Sequence, residues 1–405
     1  MAQLKHVLDG YKVLDFTQVL AGPTATRMMA EMGAEVIKVE LAPNGDPSRA
    51  LPFLRDGRSA YYIQQNRGKK SLCVDVKNPL GLELVKALIP KMDVIIENYA
   101  PGVIARIGLS YEVVRALNPK IVMCSISSLG QTGPLANRPG YDTIGAAYAG
   151  VLDMSGYPDR APVFPALGIG DVSTGVRALA AIVSALLGRE RTGRGQYIET
   201  SLLDCYFGYH ELNVQMLSAS RGATKPRRTG EHHYMVAPAG MFKGKHCYIL
   251  IIGGLDRQWP AMCHAMGKPN LAGDPRYNSL AARARNIKEV IQMVQDWVDS
   301  TRNDEEVEEA LEKHRVPYAP ALTVEQAMNH PHLRQRRTVK TITDRFLGEF
   351  EIPNFPMRFS EYGELDLEAP TLGEHNEQIL RDYLGYSASR LDELDRAGVL
   401  HHGPR

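Results

Sequence analysis

Three absences narrow this sequence before any motif is read. Neither charge sign dominates, because 47 Lys and Arg stand against 46 Asp and Glu. No global field therefore draws nucleic acid or an anionic membrane, and ligands have to be recognised locally. The five cysteines (Cys73, Cys124, Cys205, Cys247, Cys263) are odd in number, far apart and mostly inside apolar runs. That excludes a disulfide framework or a zinc cluster and suits a reducing compartment. The segment Met1 to Gly10 has no apolar leader core, and the longest largely apolar run, Ala178 to Leu187, is far shorter than the roughly 20 residues that span a bilayer. Internal repeats and low-complexity tracts are also missing. The expectation is a soluble cytoplasmic protein with neither nucleic acid nor membrane as a partner.

Several active-site signatures are missing too. The loop Gln18 to Pro23 has one glycine, so the three-glycine dinucleotide fingerprint is absent, although Glu40 stands where its acid would. Gly68-Lys-Lys-Ser71 lacks the upstream glycine of a phosphate-binding P-loop, and a strand follows it. There is no Gly-x-Ser-x-Gly elbow. His232-His233 and His330-Pro-His332 lack metal-ligand spacing, so no metal is expected.

What is present is an α/β pattern. Tyr11 to Phe16 reads as a strand, Thr24 to Met32 as a helix stopped by Gly33, and Glu35 to Glu40 as a second strand. Leu72 to Val76, Asp93 to Glu97 and Ile121 to Ser127 continue the strands, with a helix over Gly81 to Ile89. Strands alternating with helices imply a parallel sheet whose ligands collect at the carboxyl ends of the strands. With 405 residues and 44% hydrophobic side chains, two domains are expected. The basic, turn-rich stretch Arg221 to Gly230 suits a linker, and the patch Arg334 to Arg337 a return linker. We place a large domain at 1–205 and 335–405, linkers at 206–229 and 323–334, and a small domain at 230–322.

The chemistry centres on Ala166-Leu-Gly-Ile-Gly-Asp171-Val-Ser-Thr-Gly175. Asp171 precedes a strong helix former that reads as ending at Gly188. An Asp at such a place caps the helix by accepting the first free N–H groups. It can also be a nucleophile, with glycines admitting a substrate closely and the helix N-terminus favouring the ionised form that attacks. Local sequence leaves both roles open.

Seven ordered segments then carry a resemblance: Asp15 to Pro23, Gly33 to Glu40, Asn66-Arg-Gly-Lys-Lys-Ser71, Glu97-Asn-Tyr-Ala-Pro-Gly102, Gly130-Gln-Thr-Gly-Pro134, Arg191 to Gln196 and Leu372-Gly-Glu-His375. Together, from about residue 8 to about residue 384, they resemble the class III CoA-transferases of the CaiB/BaiF type, the family of formyl-CoA and carnitine CoA-transferases. The resemblance implies a Rossmann-like large domain, a small α/β domain and two subunits interlocked as a homodimer. It makes Asp171 the nucleophile. Attack on an acyl-CoA would release the thiolate and leave a mixed anhydride, which resolves into an aspartyl-CoA thioester from which an acceptor carboxylate collects the CoA. No permanently bound cofactor is implied, since the CoA thioester is itself the substrate.

The resemblance also implies that CoA is held near Lys38 and Leu41, by Lys69 and Lys70, and by Asn98, Tyr99 and Arg106. Formyl-CoA transferases have Gln where this chain has Leu20 and Arg where it has Leu41, so formate and oxalate are not the expected acids. A small dicarboxylate or hydroxy acid is, with Arg138, Arg177 and His233 able to meet a second carboxylate. The shielding loop of the family corresponds to Gly230 to Gly240, which lacks a polyglycine run. The alternative is a 2-methylacyl-CoA racemase. Those enzymes have a histidine where this chain has Tyr141, and tyrosine, with an unperturbed pKa near ~10, is a poor exchange base at neutrality.

Overall fold

The computed structural model describes residues 4–403 and divides the chain into two units. The first runs through Val151, takes up again over Pro165–Glu211, and resumes from Arg337 onward; the second comprises Leu152–Phe164 and Leu212–Arg336. Sequence reading left 152–164 in the large domain. Hydrogen bonds tie it to the second unit instead: Gly230 N–H donates to the Gly156 carbonyl at 3.0 Å, and Tyr157 Oη to Glu231 at 2.6 Å. Arg228 also pairs with Asp153.

Six parallel strands form the main sheet of the first unit: β1 (Lys12–Asp15), β2 (Glu35–Leu41), β3 (Lys69–Val74), β4 (Val94–Glu97), β5 (Val122–Ser127) and β6 (Gln196–Ser201). Their spatial order is β3-β2-β1-β4-β5-β6. This is a doubly wound sheet whose strand order reverses between β1 and β4, where ligands of such sheets bind. Sequence reading missed β6 because its Gln-Tyr-Ile-Glu-Thr-Ser pattern is that of a polar edge strand. It also began β3 three residues late, which has consequences for two lysines.

Alternation along the strands feeds two cores. Leu14, Ile37, Leu72 and Ile95 pack on one face with Ile379, Leu380, Leu391 and Leu394 of the C-terminal helices. Val13, Val36, Val94 and Val122 pack on the other with α1 (Ala21–Glu31) and a 24-residue helix, Ile169–Thr192. Three further helices border the site: α2 (Ala60–Asn66), α3 (Asp142–Tyr148) and, after the 24-residue α4 (Ile169–Thr192), α5 (Leu202–Phe207).

Helix α4 passes Gly188 and ends at Gly193, whose left-handed φ of 68° terminates it. By length and composition it is apolar enough to cross a bilayer. Its apolarity has an internal cause, since Thr174, Gly175, Ala178, Leu179, Ile182, Ala185 and Leu186 are buried. In the second unit an antiparallel three-stranded sheet of Ala239–Lys243, Tyr248–Ile252 and Tyr318–Pro320 packs on helices through Trp259, Val290, Val294 and Val307.

Candidate active site

Asp171 lies in the first turn of α4, two residues inside its start, and the N-cap is Gly168 with no side-chain cap bond. The capping role is therefore vacant and Asp171 does not fill it. The flanking glycines have steric reasons to be glycine. A β-carbon on Gly168 would sit 2.6 Å from Leu20 Cδ2, and one on Gly170 would sit 2.2 Å from Asp142 Oδ1 and 2.1 Å from the Tyr206 ring. One on Gly175 would strike the Ala21 carbonyl at 2.4 Å, so the turn also sets how closely α4 approaches α1. The Gly170 N–H donates to Tyr206 Oη at 3.0 Å, fixing the turn to α5.

Burial, and then the charge of Asp142, push the Asp171 carboxyl up to about 7. This reverses the expectation that the helix start would favour its ionised form. The half-charge at a helix end is outweighed when a carboxylate is desolvated beside a like charge. Among the described residues Asp171 has no ion pair. Asp142 is also raised, by burial, against the opposing pull of the Tyr206 hydroxyl and the amides of Asp171 and Gly170. Those donors lie close without completing a hydrogen bond to either carboxylate oxygen. On α2, burial and the charges of Asp171 and Asp46 push the half-buried Tyr61 phenol up to about 12. The sequence pattern singles out neither Tyr61 nor Asp142 nor Tyr206 as a site residue. Only Asp142 had a signal, its place directly after Tyr141.

Two lysines assigned to CoA are committed elsewhere. Because β2 runs to Leu41 and β3 starts at Lys69, both lie inside strands with side chains turned inward. Lys38, 1% exposed, pairs with Asp46 at 2.8 Å and donates to the Thr17 carbonyl at 2.6 Å. Lys69 is held by Asp15 at 3.0 Å, Thr26 at 2.7 Å and Asn66 at 2.9 Å. Neither has an ammonium free for a phosphate. Lys70, on the opposite face of β3, is partly exposed and pairs with Glu35 at 2.6 Å.

Asn98 follows β4 and bonds the backbone of Gln18 through both amide atoms. Tyr99 is half-buried against the core, and burial raises its phenol. Leu41 is half-buried at the end of β2. Arg106 is exposed at the end of the short helix Val103–Arg106. Leu20 caps α1 and lies over Gly168.

Arg138, Arg177 and His233, considered for a second carboxylate, each have structural partners of their own. Exposed Arg138 donates to Tyr148 Oη at 2.9 Å. Arg177 donates to the Cys205 carbonyl at 2.7 Å and lies over the Tyr209 ring, so its structural partners are a carbonyl and a ring. A cavity of about 600 Å³ runs beside α4, lined by Leu167, Ile169, Val172, Val176, Arg177 and Tyr209 among others. His233 belongs to the second unit. Its Nδ1 accepts the N–H groups of Met235 (3.1 Å) and Val236 (3.2 Å), which leaves Nε2 as the protonated nitrogen in the neutral ring. Tyr141 is 80% exposed, so a racemase would find no histidine and no enclosed base beside Asp142. Among the described residues no cluster of side chains suits a metal.

Known proteins resemble this chain over nearly its whole length. A succinyl-CoA:glutarate CoA-transferase of Mus musculus is 34% identical over 400 residues, covering 97% of this chain and 90% of that protein. A succinyl-CoA:D-citramalate CoA-transferase of Chloroflexus aurantiacus is 33% identical, covering 97% and 98%. The crystal structure of a CAIB/BAIF family protein from Brucella suis superposes with a TM-score of 0.81 at 33% identity, over 94% of this chain and 100% of that one. The family model for CoA-transferase family III matches residues 8–376. A doubly wound sheet, a glycine-flanked aspartate whose turn lies beside Leu20 of the loop leaving β1 and relatives of this kind lead to one assignment: the chain belongs to CoA-transferase family III and is an enzyme that transfers CoA.

Proposed function

We propose that the enzyme exchanges CoA between small carboxylic acids through covalent intermediates on Asp171, and that at least one acid is a dicarboxylate of the kind named for its relatives. The observation that carries this reading is the Asp171 carboxylate itself: half-buried, without a counter-ion among the described residues, and raised to about 7. An aspartate so placed is a stronger nucleophile than an ordinary one, yet a useful fraction remains ionised at neutral pH.

The ionised Asp171 attacks the acyl carbon of the donor, the C–S bond breaks, and CoA leaves as thiolate from a mixed anhydride. The thiolate attacks the aspartyl carbonyl and expels the donor acid, leaving an aspartyl-CoA thioester. The acceptor carboxylate attacks that thioester and releases thiolate, which then attacks the acceptor acyl carbon and frees Asp171. Asp142 contributes differentially. Acylation removes the Asp171 charge and with it the repulsion between the two carboxylates, so the ground state is disfavoured relative to the intermediate. The anhydride survives only where water is kept out.

CoA is the substrate, with Arg106 our assignment for a phosphate, because it is exposed and bears a planar fork suited to one. Lys70, Tyr99 and Leu41 complete the proposed CoA contacts. Arg138 and His233 are the candidates for a second carboxylate. We also infer a homodimer. Val172, Val176, Val183 and Leu187 are exposed on α4, and at 100° per residue they fall within about 60° of one another. Five unpaired cysteines suit a cytoplasmic enzyme.

The test is the intact mass of wild type and Asp171→Ala after brief exposure to succinyl-CoA and a panel of short acyl-CoA esters, followed by peptide mapping. An acyl or CoA adduct on the Asp171 peptide, absent from the variant, is expected. No adduct with any ester, together with deuterium entering a branched acyl-CoA at its α-carbon, would replace this reading by the racemase.

A further inference from the structure

The loop leaving β1 is held in a conformation that its sequence disfavours. Val19 has φ of 64°, in the left-handed region, where a β-branched residue is a steric outlier. Nothing within Thr17-Gln18-Val19-Leu20 favours that conformation, and the neighbours impose it. Asn98 grips the Gln18 residue on both sides: the Gln18 N–H donates to Asn98 Oδ1 at 2.7 Å, and Asn98 Nδ2 donates to the Gln18 carbonyl at 2.9 Å. Lys38 donates to the Thr17 carbonyl at 2.6 Å. Asp46, paired with Lys38 at 2.8 Å through one oxygen, accepts the Val19 N–H at 3.2 Å through the other. Lys38 and Asp46 are 1% and 2% exposed. Three consecutive residues are thus fixed by the side-chain amide of Asn98, just past β4, and a buried ion pair.

What the loop supports is the site. Val19 is followed by Leu20, the N-cap of α1, whose Cδ2 would touch any β-carbon on Gly168. Gly168 is the N-cap of α4, in whose first turn Asp171 lies. The contacts therefore run without a gap from the clamp through Val19 and Leu20 to the nucleophile's turn. Backbone strain that persists in this way is characteristic of sites that need one geometry.

We propose that Asn98, Lys38 and Asp46 are positioning residues that hold Val19 left-handed and so seat Leu20 against the Asp171 turn, where it shields the acyl-aspartyl bond from water. The proposal rests on the covalent reading of Asp171 and gives Asn98 and Lys38 a role other than contact with CoA. Loosening the clamp leaves acyl-CoA binding intact, slows transfer, and lets water take the acyl group, yielding free acid and free CoA.

Asn98→Ala is compared with wild type for adduct formation on Asp171, for kcat and KM with succinyl-CoA and glutarate, and for CoA released without acceptor. The expected result is a kcat about tenfold lower, a KM for acyl-CoA within about twofold, and a ratio of hydrolysis to transfer about fivefold higher. Val19→Gly adopts a positive φ without strain. Added to Asn98→Ala it should restore a substantial part of the lost rate, an effect that loss of a CoA contact would not produce. Should Asn98→Ala not fold, the near-isosteric Asn98→Asp, which keeps the acceptor and loses the donor, is expected to move the same quantities by less. A KM at least tenfold higher with unchanged kcat and hydrolysis, or no rescue by Val19→Gly, overturns the clamp. A wild type that forms no adduct overturns the Asp171 reading instead, so the two failures are distinct.

Discussion

Replacing Asp171 by Asn should stabilise this protein, and do so only away from acid pH. The folded carboxyl is raised from its ordinary 3.8 to about 7 by burial and by the Asp142 charge. Well below pH 3.8 the carboxyl is protonated in both folded and unfolded chains and contributes no difference. Between pH 4 and 7 the unfolded chain ionises while the folded one retains its proton, so stability falls as pH rises. Above pH 7 the whole cost is present. At about 1.4 kcal/mol for each tenfold change in proton affinity the gap corresponds to roughly 4 kcal/mol. Asp171 keeps some contact with solvent, which screens it, so a cost of about 2 kcal/mol is the better expectation. Asparagine removes the charge with little change of shape. Urea unfolding of wild type and Asp171→Asn at pH 4, 6 and 8 should show the variant more stable by about 2 kcal/mol at pH 8, by less at pH 6, and by nearly nothing at pH 4. A difference independent of pH, or one that grows toward acid, would refute the placement of Asp171 as a destabilised carboxylate.

Since the ionised form attacks, kcat should rise with pH through a midpoint near the Asp171 value of about 7, and Asp142→Asn should move that midpoint down. A flat profile between pH 5 and 9 would count against attack by Asp171. Lys69→Met leaves the buried Asp15 without its cation, so unfolding should show a loss of about 3–5 kcal/mol with the affinity of the folded fraction for CoA unchanged. Weaker CoA binding at unchanged stability would return Lys69 to the phosphate. Val176→Glu and Leu187→Glu, each on the exposed face of α4, should shift sedimentation from dimer to monomer, and two variants that sediment as wild type would remove that face from the interface.

The α/β class was legible, and Asp171 stood out as a residue to explain, because each is written locally, whereas the choice between cap and nucleophile was not. Strands recur between helices, and an aspartate flanked by glycines precedes an apolar helix. The cationic residues were misread where their partners are distant in sequence. Gly68-Lys-Lys-Ser71 looks like an exposed basic turn, yet Lys69 and Lys70 alternate across β3, one to the interior and one to solvent. That alternation, continued through Ser71, Leu72, Cys73 and Val74, was the available signal. Nothing local marks Lys38 as buried, since Asp46, its partner, follows a turn beyond the strand. Tyr61 and Asp171 are separated by more than a hundred residues, and only the folded sheet brings their charges to bear on each other. The direction of the Asp171 shift was likewise invisible, because the helix end is a local feature and burial is not.

Oxygen transfer reports whether Asp171 bonds covalently to the acyl group of the acceptor. In the proposed sequence the acceptor contributes the bridging oxygen of the second anhydride, and that oxygen stays on Asp171 when the thiolate takes the acyl carbon. Turnover of succinyl-CoA with glutarate labelled with ¹⁸O in both carboxylates, followed by mass mapping, should place ¹⁸O in the Asp171 peptide of wild type. Full turnover with no label in that peptide would contradict the account.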